Sequence, residues 1–157
     1  MYAYQTNEGQ AAIRKRNQTA EFYACLKGLN LVVDRDPLNP IALSFQKGGK
    51  VQEIAIVRNR NESMAEFTWS SVMITTAKIN QLVTRAKHLR VAGQVLVNMA
   101  DNVLLSWTVI DNAGNERRYG KQVTTTKGDC MGSHFASREN TFLPISEATV
   151  FEPQQLI

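Results

Sequence analysis

The stretch NPIALSFQKGGKVQEIAIVR, residues 39–58, decides the fold. Two runs of alternating apolar residues, Ile41 to Phe45 and Val51 to Val57, flank Gly48-Gly49, and paired glycines between such runs signal a two-residue β-hairpin turn. Successive side chains of a strand point to opposite faces. A regular hairpin therefore groups Ile41, Leu43 and Phe45 on one face of the first arm, and Ile54 and Ile56 on one face of the second. Ala42 and Ser44 turn the other way, as do Glu53, Ala55 and Val57, and any chemistry on the sheet belongs on that second face.

Upstream, QAAIRKRNQTAEFYACLKGL (10–29) places Phe22, Cys25, Leu26 and Leu29 at the spacing of one helix face, with Arg14, Lys15 and Arg16 in its first half and Gly28 as a stop signal. LNLVVD favours a strand, and the prolines of DRDPLNP forbid helix after it. Downstream, AEFTWSSVMI predicts another strand. TTAKINQLVTRAKHLRVAG predicts a helix capped by Thr75 or Thr76, with Ile79, Leu82, Val83 and Ala86 as its apolar stripe and Gly93 just past its end. Lys78, Arg85, Lys87 and Arg90 mark its other face, with His88 near its end. QVLVNM and VLLSWTVI form a hairpin about Asp101-Asn102, with a further turn at DNAGN. A strand is expected within ERRYGKQVTTTKG. The order predicts a single domain over residues 1–157, α/β or mixed α+β, in which a central mixed sheet is flanked by helices. Its core spans residues 10–110, and residues 116–157 form a C-terminal extension.

The chain has 157 residues, 43% hydrophobic and 20% charged, enough for a core without disulfides or metal staples. Its 18 Lys plus Arg against 14 Asp plus Glu give a net charge of +4, which favours a polyanionic partner if clustered and is a solvated surface if not. Two cysteines make no disulfide framework; Cys25 reads as a core thiol, and the expected location is the reducing cytoplasm. The N-terminal stretch has no apolar leader, and no run of about 18 apolar residues exists to span a membrane. Cys130 and His134 in GDCMGSH lack the second pair that a zinc site needs. There is no phosphate-binding P-loop, dinucleotide fingerprint, nucleophile elbow or H-E-x-x-H metal motif. Trp69 and Trp107 lie in apolar segments and read as core.

The sequence of helix, hairpin, helix and strand, carried by AEFYACLKGLNLVV, NPIALSFQKGGKVQEIAIVRNRN and ITTAKINQLVTRAKHLRVAGQVLVNM, resembles the PD-(D/E)XK nuclease superfamily, which includes Holliday-junction resolvases, restriction enzymes and homing endonucleases. The resemblance implies a restriction-endonuclease-like fold, DNA as partner, and Mg²⁺ held by carboxylates on two strands and the first helix, with a lysine orienting the attacking water. It places Glu21 as the helix acid. It also places Ala42 where an aspartate belongs, and Ala55 and Val57 where the acid and lysine of E-x-K belong. Three readings stay open. One is a DNA-binding protein with a degenerate metal site, an accessory in recombination, repair or a mobile element, contacting phosphates through Arg14, Lys15, Arg16, Lys47, Lys50, Arg58 and Arg60, with Asn59 and Asn61 near base edges. Another is an active Mg²⁺-dependent endonuclease with a displaced catalytic and metal-binding cluster of Glu21, Asp36 and Glu53. The third is a structural or protein-interaction domain of a virus or mobile element. A homodimer or a catalytic partner subunit suits either DNA reading.

Overall fold

The computed structural model describes residues 5–33, 43–127 and 135–152; Asp36, Ala42, Cys130 and His134 lie outside them. Helix α1 (Asn7–Lys27) is followed by β1 (Asn30–Val33), β2 (Leu43–Lys47), β3 (Lys50–Asn59), β4 (Ser71–Thr75), helix α2 (Thr76–Leu89), β5 (Ala92–Asn98), β6 (Leu104–Ile110), β7 (Lys121–Lys127), β8 (Phe135–Pro144), a single 3-10 turn (Ile145–Glu147) and β9 (Thr149–Phe151). The central sheet has the order β1-β2-β3-β5-β6-β9, and β4-β8-β7 form a second, three-stranded sheet. Only β3 and β5 pair in parallel among the described strands, joined by a crossover through α2. This is the mixed α+β single domain that the element order predicts.

The hairpin turns where the glycines stand. Lys47 pairs with Lys50, and Gly48 and Gly49 take φ of 60° and 76°, the left-handed values a two-residue turn of this kind requires. The two arms, however, are not in regular register. Gln46 pairs with Val51 but Phe45 pairs with Glu53, so Gln52 is an extra, unpaired residue, a β-bulge. One extra residue exchanges the faces of everything beyond it. Leu43, opposite Ala55, and Phe45, opposite Glu53, therefore share the face of Glu53, Ala55 and Val57, while Ser44 lies opposite Ile54. The expected grouping of Ser44 with Glu53, Ala55 and Val57 is corrected by the bulge.

That face is covered by α1. The helix buries Thr19, Ala20, Tyr23 and Ala24, not the predicted stripe: Cys25 is exposed, and Phe22 and Leu29 only flank the contact. Ala20 and Ala24 are small enough to let the helix settle on the sheet, and Tyr23 packs edge-on to Phe45 at 5.0 Å between ring centroids. Gly28 ends the helix in the left-handed conformation, as its position predicts.

The opposite face carries Ile54, Ile56, Val95, Val97, Leu105 and Trp107, buried under α2 and the second sheet. Helix α2 buries the predicted Ile79, Leu82, Val83 and Ala86 and starts at the predicted Thr75 cap. It ends differently: Arg90, at φ 59°, takes the left-handed cap position, and Gly93 is already inside β5. The glycine serves packing. A Cβ there would stand 2.9 Å from Ile110 Cγ2 and 3.3 Å from Leu82 Cγ. Gly93→Val is expected to lose about 1–3 kcal/mol of stability through overpacking, read as a lower urea midpoint.

The segment AEFTWSSVMI becomes a strand only from Ser71; before it, Ser63 to Phe67 turn, with the backbone N–H of Phe67 donating to the Ser63 carbonyl. Trp69 is consequently 71% exposed rather than buried, whereas Trp107 is in the core as predicted. The C-terminal stretch packs onto the domain: β8 pairs with β4, and β9 adds to β6 at the edge of the central sheet. Among the described residues no helix is long and apolar enough to cross a membrane.

Candidate nucleic-acid interface

Two polar places stand out on the two faces of the central sheet. On the α1 face, Tyr23 Oη donates to Glu53 Oε1 at 2.5 Å, and Lys27 Nζ lies 3.9 Å from Glu53 Oε2. Burial pushes the Tyr23 phenol well above its ordinary value, helped by the hydrogen bond and charge of Glu53; Ser106 acts the other way. Beside this pair, Ser106 Oγ and Thr108 Oγ1 donate to Gln94 Oε1 at 3.3 and 3.0 Å. Glu53 is thus a carboxylate held between a phenol and an ammonium.

An unfolded tyrosine ionises near pH ~10, and the folded value lies higher, so Tyr23 contributes stability that is fully present below about pH 10 and is lost as pH rises beyond it. Tyr23→Phe is expected to flatten that alkaline decline. At neutral pH it should cost about 1–3 kcal/mol, because Glu53 loses a donor. Urea denaturation at neutral and alkaline pH measures both effects.

A Mg²⁺ ion wants about six oxygen ligands in near-octahedral array, several of them water and one or two of them carboxylate. The α1 face does not fit one. Ala55 is 0% and Val57 7% exposed, packed among Ala20, Tyr23, Ala24, Leu43 and Phe45. These are the positions where the resemblance calls for acid and lysine. Glu21 stands exposed on α1, outside the buried face that meets the sheet, whereas Glu53 is on β3 beneath the helix. Among the described residues no three of His, Cys, Asp and Glu gather as a metal site, and Asp36 lies outside the described residues.

The predicted phosphate contacts divide between the ends of the sheet. Helix α1 runs antiparallel to β3, since Thr19 bonds Asn59 while Tyr23, a turn later, bonds Glu53. Arg14 and Lys15, both exposed, and Arg16 belong to the Asn59 end; burial lowers the Arg16 guanidinium, which donates to Asn17 Oδ1. Lys47 and Lys50 are exposed at the hairpin tip, nine residues or about 30 Å of strand away from Asn59. Asn59, expected near base edges, accepts hydrogen bonds at its amide oxygen from Thr19 and Asn98, while Asn61 is exposed.

Arg58 and Arg60 open on the other face of the sheet. There they line a cleft of about 390 Å³ together with Arg138 and Asn140 of β8 and Met73 and Thr75 of β4, with no carboxylate in its wall. Burial lowers the Arg58 guanidinium, which has no hydrogen bond or ion pair with the described residues. Arg60 bridges to Glu62 at 2.7 Å and lies over the Phe67 ring, yet its Nε is buried without a hydrogen-bond partner. Arg138 and Asn140 escape a reading of the sequence, because only the long-range pairing of β8 with β4 brings them here.

No protein-family model matches the chain, and no curated protein matches it in sequence. The fold does have a solved counterpart. It is similar to a Holliday junction resolvase. That structure is Hjc of the archaeal hyperthermophile Archaeoglobus fulgidus, matched over 91% of this chain and 93% of the resolvase with a TM-score of 0.53 and 10% identity. At that identity the likeness is one of fold.

Proposed function

We propose that this chain binds DNA through a nuclease-like fold whose metal face is filled with apolar side chains, serving recombination, repair or a mobile element as an accessory to an active partner. The observation that carries the reading is the sealed pair Ala55 and Val57: where a nuclease of this type would hold metal, α1 sits on an apolar floor. The likeness in fold to Hjc supports the nuclease-like half, in keeping with a resemblance to a superfamily that includes resolvases. The exposed Arg14 and Lys15, with Arg58 and Arg60, support the DNA half, since phosphate contacts need no catalytic acid.

Four-way junction and duplex DNA are the ligands to test first, across a range of salt. With about five phosphate contacts the plot of log affinity against log salt should have a slope of about −4 to −5, and Arg14→Ala with Lys15→Ala should reduce its magnitude by about 2. Indifference to DNA and to heparin would favour a protein-interaction domain instead. Metal-dependent cutting lost in Glu21→Gln would favour the active enzyme with Glu21, Asp36 and Glu53 as its Mg²⁺ ligands. A homodimer would present the basic residues to both strands of a duplex; a monomer by light scattering, free and DNA-bound, would leave only the partner subunit.

A further inference from the structure

The cleft on the α2 face has three features that converge on one kind of ligand. It lies at the carboxyl ends of the parallel strands β3 and β5, marked by Arg58, Asn59 and Val97, where open α/β sheets commonly leave a crevice for ligands. Its rim includes Thr75, the cap of α2. The helix has no acidic residue in its first turn and Thr75 makes no side-chain capping bond, so the positive end of the helix dipole faces this region. An adjoining depression at that helix end also holds Lys78, with Glu139 as its acid.

Guanidinium groups supply the third feature. Arg58, Arg60 and Arg138 reach the cleft from both sheets, with Arg58 unpartnered and the Arg60 Nε buried and unbonded. Holding positive charge out of water without a partner is costly, and a phosphate accepting forked hydrogen bonds would relieve it. Glu62 already neutralises part of Arg60, so Arg58 is the principal anion donor, with Arg138 in the same wall.

The size of the cleft limits the occupant. About 390 Å³ is the volume of a small-molecule pocket. The exposed Met73 offers an apolar surface to a base, with Asn140 beside it in the wall, and arginine also stacks on bases. We infer that the cleft formed by Arg58, Arg138, Asn140 and Met73 receives one nucleotide of an unpaired nucleic-acid strand, its phosphate held by the arginines. This rests on the nucleic-acid reading above and adds a site on the sheet face opposite α1.

The test uses fluorescence anisotropy of the full chain with a short single-stranded oligothymidylate and a blunt duplex of equal length, each competed by thymidine monophosphate and by inorganic phosphate. Thymidine monophosphate should displace the single strand better than inorganic phosphate does. Arg138→Ala, an exposed position, should weaken single-strand binding about tenfold and duplex binding by less than about twofold, with Arg138→Lys between. Duplex binding together with single-strand binding that neither Arg138→Ala nor Arg58→Gln weakens would overturn the cleft and leave the DNA reading standing. Arg138-dependent binding of thymidine monophosphate without binding of either DNA would keep the nucleotide pocket and overturn the strand as its source. Equal displacement by inorganic phosphate would overturn recognition of a nucleotide.

Discussion

Ala55→Glu is expected to lose about 3–5 kcal/mol of folding stability, a large part of the ~5–15 kcal/mol that a domain of ordinary stability holds. Ala55 is fully buried between Leu43 on β2 and Gln94 on β5, beneath Ala20, Tyr23 and Ala24 of the helix. A carboxylate there would be desolvated, and the nearby Glu53 already occupies the phenol of Tyr23 and the ammonium of Lys27. Val57→Lys should cost less, because a long side chain near the strand end can lead its charge toward water. The urea midpoint of each variant measures the loss. A near-native midpoint for Ala55→Glu would mean that the α1 face can open to hold charge, and the metal reading would gain by it.

Trp107→Ala should cost about 3–5 kcal/mol, for a different reason. Trp107 is 1% exposed, and its indole Nε1 donates to the Pro144 carbonyl at 2.8 Å. Pro144 ends β8, so one side chain joins the central sheet to the sheet that walls the arginine cleft. The truncation leaves a cavity in the apolar layer and an unmet carbonyl at its border. Trp107→Phe restores most of the volume without the donor and should recover more than half of the loss. Thermal unfolding of the two variants separates packing from the hydrogen bond.

What could be read from the sequence follows from how local each feature is. Gly48-Gly49, the Asp101-Asn102 turn and the stripe of α2 depend on residues within a few positions of one another, and all three are found where their patterns place them. The faces of the first hairpin were not legible, because an alternating run carries no mark of the bulge at Gln52, and that single residue moves Leu43 and Phe45 onto the face of Glu53. Helix α1 misleads for another reason. Its large apolar residues Phe22 and Leu26 suggest one face, while the sheet takes the small Ala20 and Ala24 and the amphipathic Tyr23. Of the residues in the arginine cleft, Arg58 and Arg60 stand out as a local basic run, but Arg138 and Asn140 join them only through a strand pairing some 70 positions away in the chain.

The most direct measurement is a cleavage assay on DNA already bound by the full chain, with Mg²⁺ and then Mn²⁺ added to duplex and four-way junction substrates. Salt-sensitive binding with both DNAs left intact is the expected result, because the buried Ala55 and Val57 put apolar side chains where the resemblance calls for an acid and a lysine. Metal-dependent cutting that disappears in Glu53→Gln, with the variant still folded and still bound to DNA, would contradict it.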